Sequence, residues 1–239
     1  MKKIILILAL ILSLNCFCQT DIEYHEMGMA KVDLDYYDEA IYYFDRAIEI
    51  NPDKFSSLMI RAFSKHQVKD FKGAIEDYTR VIDFDPATAA TAKAFLYCNR
   101  GSSKLQLKDY QGAMLDLNKA INIDPSDAES FYFRGEVKSK LEDLRGSVVD
   151  YNKAIILNPK HRDAYGKRGQ AKANLNDLNG ALIDFTKVIE IDPNYAYGYF
   201  NRGILKLQLK QKQSACLDFS KAGELGIEKA YELIKTNCN

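Results

Sequence analysis

The sequence predicts an all-α solenoid of six helix-turn-helix units with a C-terminal capping helix, and two observations carry this prediction. All five prolines of the 239-residue chain follow Asp or Asn, with spacings of 34, 39, 34 and 34 residues, at Pro52, Pro86, Pro125, Pro159 and Pro193. Small residues recur at places 8 and 20 of this period, and a large apolar residue recurs at place 24. A fixed period of this length is typical of a repeat architecture.

The prolines, set at place 32, divide most of the chain into six frames. They are residues 21–54, 55–88, 94–127, 128–161, 162–195 and 196–229. Places 20, 24, 27 and 28 are three or four residues apart, so they share one face of a helix. Each frame therefore predicts two antiparallel helices that meet at their small residues. The Asp or Asn before the proline is expected to end the second helix, because the residue before a proline disfavours the helical conformation. The alanine-rich insertion 89–93 is expected to lengthen the first helix of repeat three or the turn before it.

Residues 1–18 have the layout of a secretory signal peptide. Two lysines precede an apolar run over residues 4–14, which is too short to cross a bilayer. Cleavage is expected after Cys18, which would leave a mature chain that begins at Gln19. The alternative is a lipoprotein in which Cys16 or Cys18 carries the lipid. Either way, the sequence predicts an exported protein, periplasmic or extracellular.

The composition argues against several classes of function. The chain has 33 Lys and Arg against 33 Asp and Glu, so it lacks the excess positive charge of a protein that neutralises nucleic-acid phosphates. At 47% hydrophobic and 28% charged, it has the composition of an ordinary globular protein. Three histidines lie in three different repeats and share no metal-ligand spacing with one another or with cysteine pairs, namely His25, His66 and His161.

No catalytic motif is visible in the sequence. Four glycines recur at place 19, between the two helices of the middle repeats, so they indicate turns rather than a phosphate-binding loop: Gly73, Gly112, Gly146 and Gly180. Carboxylates are numerous on the predicted helix surfaces, but nothing marks two of them as an acid–base pair. The sequence therefore predicts no metal, no cofactor and no enzymatic activity.

The repeat pattern closely resembles the tetratricopeptide repeat family. Place 4 is aromatic in five repeats, with Leu58 as the exception, places 8 and 20 are small, place 24 is aromatic or Leu, and place 32 is Pro. The resemblance covers residues 21–237 and implies a right-handed solenoid whose first helices line a concave groove that binds peptides or protein surfaces. Two departures stand out, because place 11 is Lys in all six repeats and place 7 is Arg in five.

The arginines at place 7 occur together with aspartates at place 23. Repeat one lacks both and has Met27 and Tyr43 instead. Because partly buried charges need partners, we predict ion pairs that join the two helices of a repeat or neighbouring repeats, and a site for anionic ligands is the alternative. The pairs are Arg61 with Asp77, Arg100 with Asp116, Arg134 with Asp150, Arg168 with Asp184, and Arg202 with Asp218. No place of the repeat carries acidic residues that evidently match the lysines at place 11, so these lysines are expected at a solvated edge.

Repeat six departs from the pattern at its end. It has Gly223 where the other repeats have Ile, and it has no proline. Gly226 is expected to end the second helix of this repeat, and residues 227–237 are expected to form a helix that covers the open apolar end of the solenoid.

The cysteines of the mature chain predict one bridge. Cys216 and Cys238 lie at equal distances from the turn between the last two helices, so they can meet, and export permits a disulfide. Exported tetratricopeptide proteins with a similar C-terminal end also imply this pairing. The alternative is that Cys216 is a buried small hydrophobic residue. Cys98 remains single, as a groove-lining thiol or a partner in an intermolecular bond.

The family geometry implies that places 2, 5 and 9 of each first helix face the groove. These places are apolar at the two ends of the chain and acidic in the middle. Exposed apolar and aromatic residues together indicate a recognition surface. The alternative is that the N-terminal residues pack only against neighbouring helices. The candidate groove residues are His25, Met29, Met59, Phe63, Phe95, Tyr132, Tyr197 and Phe200.

The sequence as a whole predicts a non-catalytic scaffold of the cell envelope or exterior that binds a protein or peptide. Nucleic acid and metal are not expected as partners, and a membrane is expected only if the chain is lipidated. Two alternatives remain: a carrier of a small molecule or glycan, which the aromatic groove residues favour, and an accessory subunit of an envelope enzyme.

Overall fold

The computed structural model describes residues 19–84 and 90–238. The predicted signal peptide, residues 1–18, lies outside the described residues. Within the described ranges the chain forms thirteen helices and no strand. The prediction of an all-α repeat solenoid is confirmed.

The first compact unit of the chain, described over residues 19–84, contains two helix pairs. Its helices are α1 (Asp21–Val32), α2 (Tyr37–Ile50), α3 (Phe55–Gln67) and α4 (Phe71–Phe84). Each helix packs against the next one along the chain, and the two first helices, α1 and α3, also touch. Each pair lies within one 34-residue frame.

The second compact unit, residues 89–239, contains four helix pairs and a last single helix. The pairs are α5 (Ala90–Gln106) with α6 (Tyr110–Ile123), α7 (Ala128–Lys140) with α8 (Leu144–Leu157), α9 (Arg162–Asn174) with α10 (Leu178–Ile191), and α11 (Ala196–Gln208) with α12 (Lys212–Glu224), followed by α13 (Glu228–Asn237). Consecutive helices pack throughout. At 17 residues, α5 is longer than the other first helices and includes residues 90–93, so the insertion extends this helix.

The turn inside each repeat is fixed by two neighbouring places. The residue at place 15 has a left-handed backbone with φ between 59° and 67°, in Asp35, Lys69, Lys108, Glu142, Asn176 and Lys210. In the middle repeats the next residue is an Asp that caps the second helix by accepting a hydrogen bond from the glycine N–H at place 19, as Asp109 does from Gly112 at 3.0 Å. A Cβ on Gly112 would lie 2.1 Å from the Asp109 carboxylate. The glycine therefore leaves space for the cap.

The two helices of a repeat approach each other by a small-to-large contact. The nearest atoms to place 8 belong mainly to the side chain at place 24, and in repeat three a Cβ on Gly101 would also lie 3.3 Å from the Ala113 carbonyl oxygen at place 20, as the predicted crossing of small residues requires. A Cβ on Gly135 would lie 2.7 Å from the Tyr151 ring, and one on Gly203 would lie 2.7 Å from the Phe219 ring. Tyr151 and Phe219 are almost completely buried, so these contacts form the core of each repeat.

The departures in repeat six fit the last helix. A Cβ on Gly223 would lie 2.6 Å from the Tyr231 ring of α13, so the glycine at this place gives room to the capping helix. Gly226 has φ of 102° just after α12, where a side chain would be strained. The Cys216 and Cys238 sulfur atoms are bonded, with Cα atoms 5.9 Å apart, which ties the end of α13 to α12.

Candidate functional site

Five repeats contain a buried ion pair between their two helices. In repeat four, Arg134 donates two hydrogen bonds to the Asp150 carboxylate, at 2.9 and 2.7 Å. The Asp150 side chain is only 2% exposed. Equivalent pairs join Arg61 to Asp77, Arg100 to Asp116, Arg168 to Asp184, and Arg202 to Asp218.

Four of these arginines, Arg61, Arg134, Arg168 and Arg202, also reach the preceding repeat. Arg134 donates from its third nitrogen to the Asn118 amide oxygen at 2.9 Å, and Arg168 donates to Asn152 at 2.6 Å. In the first unit, Arg61 bonds Asp45 in the same way at 2.6 Å. The predicted pairs therefore join the two helices of one repeat, and the guanidinium reaches the repeat before it through place 25, which the sequence analysis did not single out.

The lysines at place 11 are not at a solvated edge in repeats two to six, and that interpretation is wrong for them. Lys138 lies 2.7 Å from Asp150, and its side chain is 23% exposed. The other four lysines contact the aspartate of their own repeat at 2.7 to 2.9 Å, namely Lys65, Lys104, Lys172 and Lys206. In repeat one, Lys31 pairs instead with Glu39. Each of the five aspartates therefore serves two cations.

Burial and ion pairing act in opposite directions on these carboxylates. For Asp116, burial opposes ionisation, but hydrogen bonds from Arg100 and Lys104 outweigh it and hold the pKa of the carboxyl below its ordinary value of 3.8. Because the cations are already engaged, this network is a structural element rather than a site for anionic ligands.

Two candidate groove residues in the first unit, His25 and Phe63, contact neighbouring helices. The His25 imidazole lies 2.9 Å from the Ser57 hydroxyl, and burial together with Lys54 lowers its pKa. Phe63 packs edge-on against Tyr37, with ring centroids 6.0 Å apart. Met29 and Met59 are half-buried. These side chains are therefore partly used in packing between neighbouring helices.

The second unit contains a cavity of about 300 Å³ between its first helices, lined by two of the predicted groove residues, Tyr132 and Tyr197. Its other lining residues come mainly from the start of α9, from the turn before α11, and from α11 itself: Arg162, Asp163, Gly166, Lys167, Gln170, Phe185, Tyr195 and Asn201. Gly166 leaves the space open, because a Cβ there would meet only Val188, at 3.8 Å.

The charges around this cavity are paired with one another. Arg162 contacts both Asp163 and Asp192 at 2.8 Å, and its guanidinium stacks 4.2 Å from the centre of the Tyr195 ring. Lys167 contacts Glu136 at 2.6 Å. The cavity thus offers aromatic rings and amide groups to a ligand, rather than an uncompensated charge.

The Tyr132 ring packs against the His161 ring. The two rings lie 4.8 Å apart, and the Nδ1 atom of His161 accepts a hydrogen bond from the Ala164 N–H at the start of α9. Burial and the nearby Glu136 raise the pKa of Tyr132, so its hydroxyl keeps its proton at neutral pH.

The remaining predicted residues lie away from this cavity. Phe95 is 43% exposed at the start of α5. Phe200 packs against Phe219, with ring centroids 6.1 Å apart, and belongs to the core of the last repeat. Cys98 is 4% exposed, and burial raises the pKa of its thiol, so the interpretation as an intermolecular partner is wrong.

Sequence reasoning missed half of the cavity lining, because five of its ten residues stand outside places 2, 5 and 9. Arg162, Lys167 and Tyr195 occupy places 1, 6 and 34, outside the three places that the family geometry assigns to the groove. A usable signal was present, because Gly166 stands at a groove place and therefore marks a gap in the wall.

Between residues 19 and 238, leaving out 85–89, no group of three or more His, Cys, Asp or Glu side chains is placed to hold a metal ion. No helix in this part of the chain is long and apolar enough to cross a membrane.

Comparisons with known proteins relate the chain to a family and to solved structures. The tetratricopeptide repeat model matches residues 24–54, 96–127 and 163–195. The fold is similar to that of MamA, at 25% identity and a TM-score of 0.61 over 71% of this chain and 96% of that one. It is also similar to a tetratricopeptide repeat protein from Parabacteroides merdae ATCC 43184, at 22% identity and a TM-score of 0.68 over 92% and 84% of the two chains.

A third similar structure is YrrB, described as a TPR protein with an unusual peptide-binding site. It is 25% identical, with a TM-score of 0.60 over 80% of this chain and 97% of that one. No curated protein sequence matches the chain.

Proposed function

We propose that the chain is a non-catalytic tetratricopeptide repeat scaffold that holds a peptide or protein segment against its first helices, and the matched repeat model and the similar solved structures support this. The observation that carries this proposal is the cavity at Gly166, which lies between first helices and is lined by groove residues of repeats four to six. The peptide-binding site described for the similar YrrB supports the same function here.

The cavity has the features needed to hold a peptide side chain and its backbone. A single apolar or aromatic side chain fits over Gly166, beside the Tyr132, Phe185 and Tyr197 rings. The Asn201 amide nitrogen donates to the Tyr197 carbonyl at 2.8 Å, which orients the amide oxygen for a backbone N–H of the ligand. Gln170 is exposed at the rim and can bond a second backbone group.

Filling the cavity tests this function. Peptides selected on the full chain by display should bind Gly166→Leu at least tenfold more weakly than the parent chain, because the new side chain takes the space of the ligand's anchor. The matched control is Asn179→Leu, which adds the same side chain at an exposed position of α10. Equal binding to both variants would place peptide binding elsewhere on the molecule.

We further propose that the protein is exported and acts in the cell envelope or outside the cell. The Cys216–Cys238 bond supports this, because disulfides persist in oxidising compartments. Mass spectrometry of the mature protein is the test. A chain that begins at Gln19 supports cleavage, a lipid on Cys16 or Cys18 supports the lipoprotein alternative, and an intact N-terminus in the cytosolic fraction contradicts export.

A carrier of a small molecule or glycan is the second candidate, and one observation favours it. Three tyrosines, Tyr132, Tyr195 and Tyr197, surround a cavity whose volume of about 300 Å³ lies at the lower end of the range for small-ligand sites. Native mass spectrometry of protein from the producing cell separates the candidates. A retained small ligand that is absent from Gly166→Leu supports a carrier, whereas a bound polypeptide supports the scaffold.

A further inference from the structure

The exposed face of the second helices carries an aligned row of aliphatic side chains. In the unit of residues 89–239, each of the four second helices, α6, α8, α10 and α12, presents one such side chain at place 22 of its repeat. These side chains are 64 to 73% exposed, and they are Leu115, Val149, Ile183 and Leu217. They lie on α-helical surfaces separate from the cavity at Gly166.

The repeat fold does not require an apolar residue at place 22. Glu76 occupies this place in repeat two, where α3 and α4 form the same kind of pair. Val149 and Ile183 also have lower helix propensity than Glu or Lys, and at 64% and 68% exposure they contribute little to the core. Single exposed apolar residues are ordinary, but one at the same place in four successive repeats forms a line.

A cation accompanies each member of this row. Place 26 is one helical turn further on, and four residues of separation put it on the same face as place 22. It is occupied by Lys119, Lys153, Lys187 and Lys221. We call these eight residues the outer strip.

The lysines of the outer strip remain available to a partner. The Lys119 and Lys153 ammonium groups lie over aromatic rings, 5.1 Å from Tyr97 and 5.9 Å from Phe131 respectively. Lys187 and Lys221 pair with glutamates of their own helices, but these side chains are 43 and 45% exposed. Surface pairs of this kind contribute little free energy, so a partner's carboxylates can replace them.

Repeat four extends the same chemistry on α8. Ile156 is 71% exposed and lies one turn beyond Lys153, while Arg145 is exposed one turn before Val149. The whole chain has equal numbers of acidic and basic residues, so the positive charge beside these aliphatic side chains is a local feature.

We propose that the outer strip binds an acidic amphipathic helix of a partner protein, in addition to and independently of the ligand of the first helices. A line of single aliphatic side chains flanked by lysines is complementary to a helix with one apolar stripe flanked by Asp and Glu. A membrane surface fits less well, because the four apolar side chains of the outer strip are aliphatic and lie one to a helix, without the aromatic anchors and broad apolar face of interfacial segments.

A designed helical peptide tests this surface on the full chain. The probe is a fluorescent three-heptad peptide with one aliphatic stripe flanked by Glu, and its matched control carries Lys in place of every Glu. Fluorescence anisotropy should detect binding of the Glu peptide alone, and this binding should weaken as salt is added.

Two double variants locate the binding. Val149→Ser with Ile183→Ser should weaken the Glu peptide at least tenfold, and Lys119→Gln with Lys153→Gln should weaken it severalfold and reduce its salt dependence. Two exposed lysines outside the strip give a control of equal charge change, Lys140→Gln with Lys160→Gln, which should bind as the parent does. Gly166→Leu should also bind the peptide normally, which separates this surface from the groove.

Four outcomes overturn the proposal. They are no binding of the Glu peptide, equal binding of the Lys peptide, an equal loss in the Lys140 and Lys160 control, and binding of phosphatidylglycerol vesicles through the strip without binding of the peptide. All strip positions are on the surface, and circular dichroism melting checks that each variant is folded. Should the serine pair lower the melting temperature, the glutamine pair alone decides.

Discussion

Asp150 accepts hydrogen bonds from Arg134 and contacts Lys138 while its own side chain is almost fully buried. Removing the carboxylate in Asp150→Ala leaves two cations in a partly buried space without their partner. We expect a loss of about 3 kcal/mol in the free energy of unfolding, measured by urea denaturation. Glu232→Ala, at an exposed acidic residue within α13, is the control, and an equal effect of the two variants would contradict the pairing.

The lowered pKa of Asp116 predicts how the stability of the second unit depends on pH. Its folded pKa lies below the ordinary value of 3.8, so its contribution is complete above about pH 4 and is lost as the pH falls through the lower folded value. The difference in unfolding free energy between the parent and Asp116→Asn should therefore be constant from pH 7 to about pH 4.5 and should narrow below pH 4. A difference that stays unchanged down to pH 2 would refute this assignment. Denaturant titrations over a series of pH values measure it.

At the scale of single elements, the cap at the start of α6 depends on two residues acting together. Gly112→Ala would push the Asp109 carboxylate away from the helix end, at a cost of about 1 kcal/mol in unfolding free energy. Once Asp109→Ala has removed the cap, the second change should cost much less, so the double variant should be less destabilised than the sum of the single variants. Thermal unfolding of the three variants provides the comparison, and additive effects would show that the glycine has another role.

The last helix is held by both packing and a covalent bond. Reduction of Cys216–Cys238, or Cys216→Ser, removes the closure of a loop with a sequence separation of 22 residues, worth about 3 kcal/mol. Hydrogen exchange should then increase first in α13, whose Tyr231 packs on Gly223. Ala113, at the far end of the same unit, should exchange as before. If exchange increases equally throughout, α13 is not an independent opening unit.

At the scale of the whole molecule, the helices could be predicted well because the same sequence pattern occurs in six repeats. The co-occurrence of Arg and Asp at places 7 and 23 pointed to pairs that the structure contains. The prediction for the lysines at place 11 was wrong because each aspartate at place 23 was already assigned to an arginine. A carboxylate such as Asp150 has two oxygens and can pair with two cations.

The candidate site was less predictable than the fold. The cavity exists because Gly166 has no side chain. It can be recognised as a cavity only once Tyr132 and Tyr197, from the neighbouring repeats, are known to line it. The family geometry assigned faces to places 2, 5 and 9, but Tyr195 enters from the turn before α11. Contacts between repeats were therefore harder to infer than contacts within one.

The hydrogen bonds from Arg134 and Arg168 to their preceding repeats also give a prediction for the chain as a whole. Arg134 bonds Asn118, and Arg168 bonds Asn152, the residue at the same place one repeat later. If residues 128–161 are deleted, Arg168 should donate its hydrogen bond to the side-chain amide oxygen of Asn118, as Arg134 does in the full chain. We expect this shorter chain to stay helical and to unfold cooperatively, as measured by circular dichroism, and a molten product would contradict this.

Such interchangeable joints bear on how proteins of this kind change over evolutionary time. A duplication or loss of one whole 34-residue segment, as between Asn118 and Asn152, preserves the arginine-to-amide hydrogen bond at the new junction. A gene can therefore alter the number of segments in one recombination event, without the compensating substitutions that an insertion into an ordinary globular domain demands. Selection can then act on ligand preference in the new copy, because its assembly with the older copies is already assured.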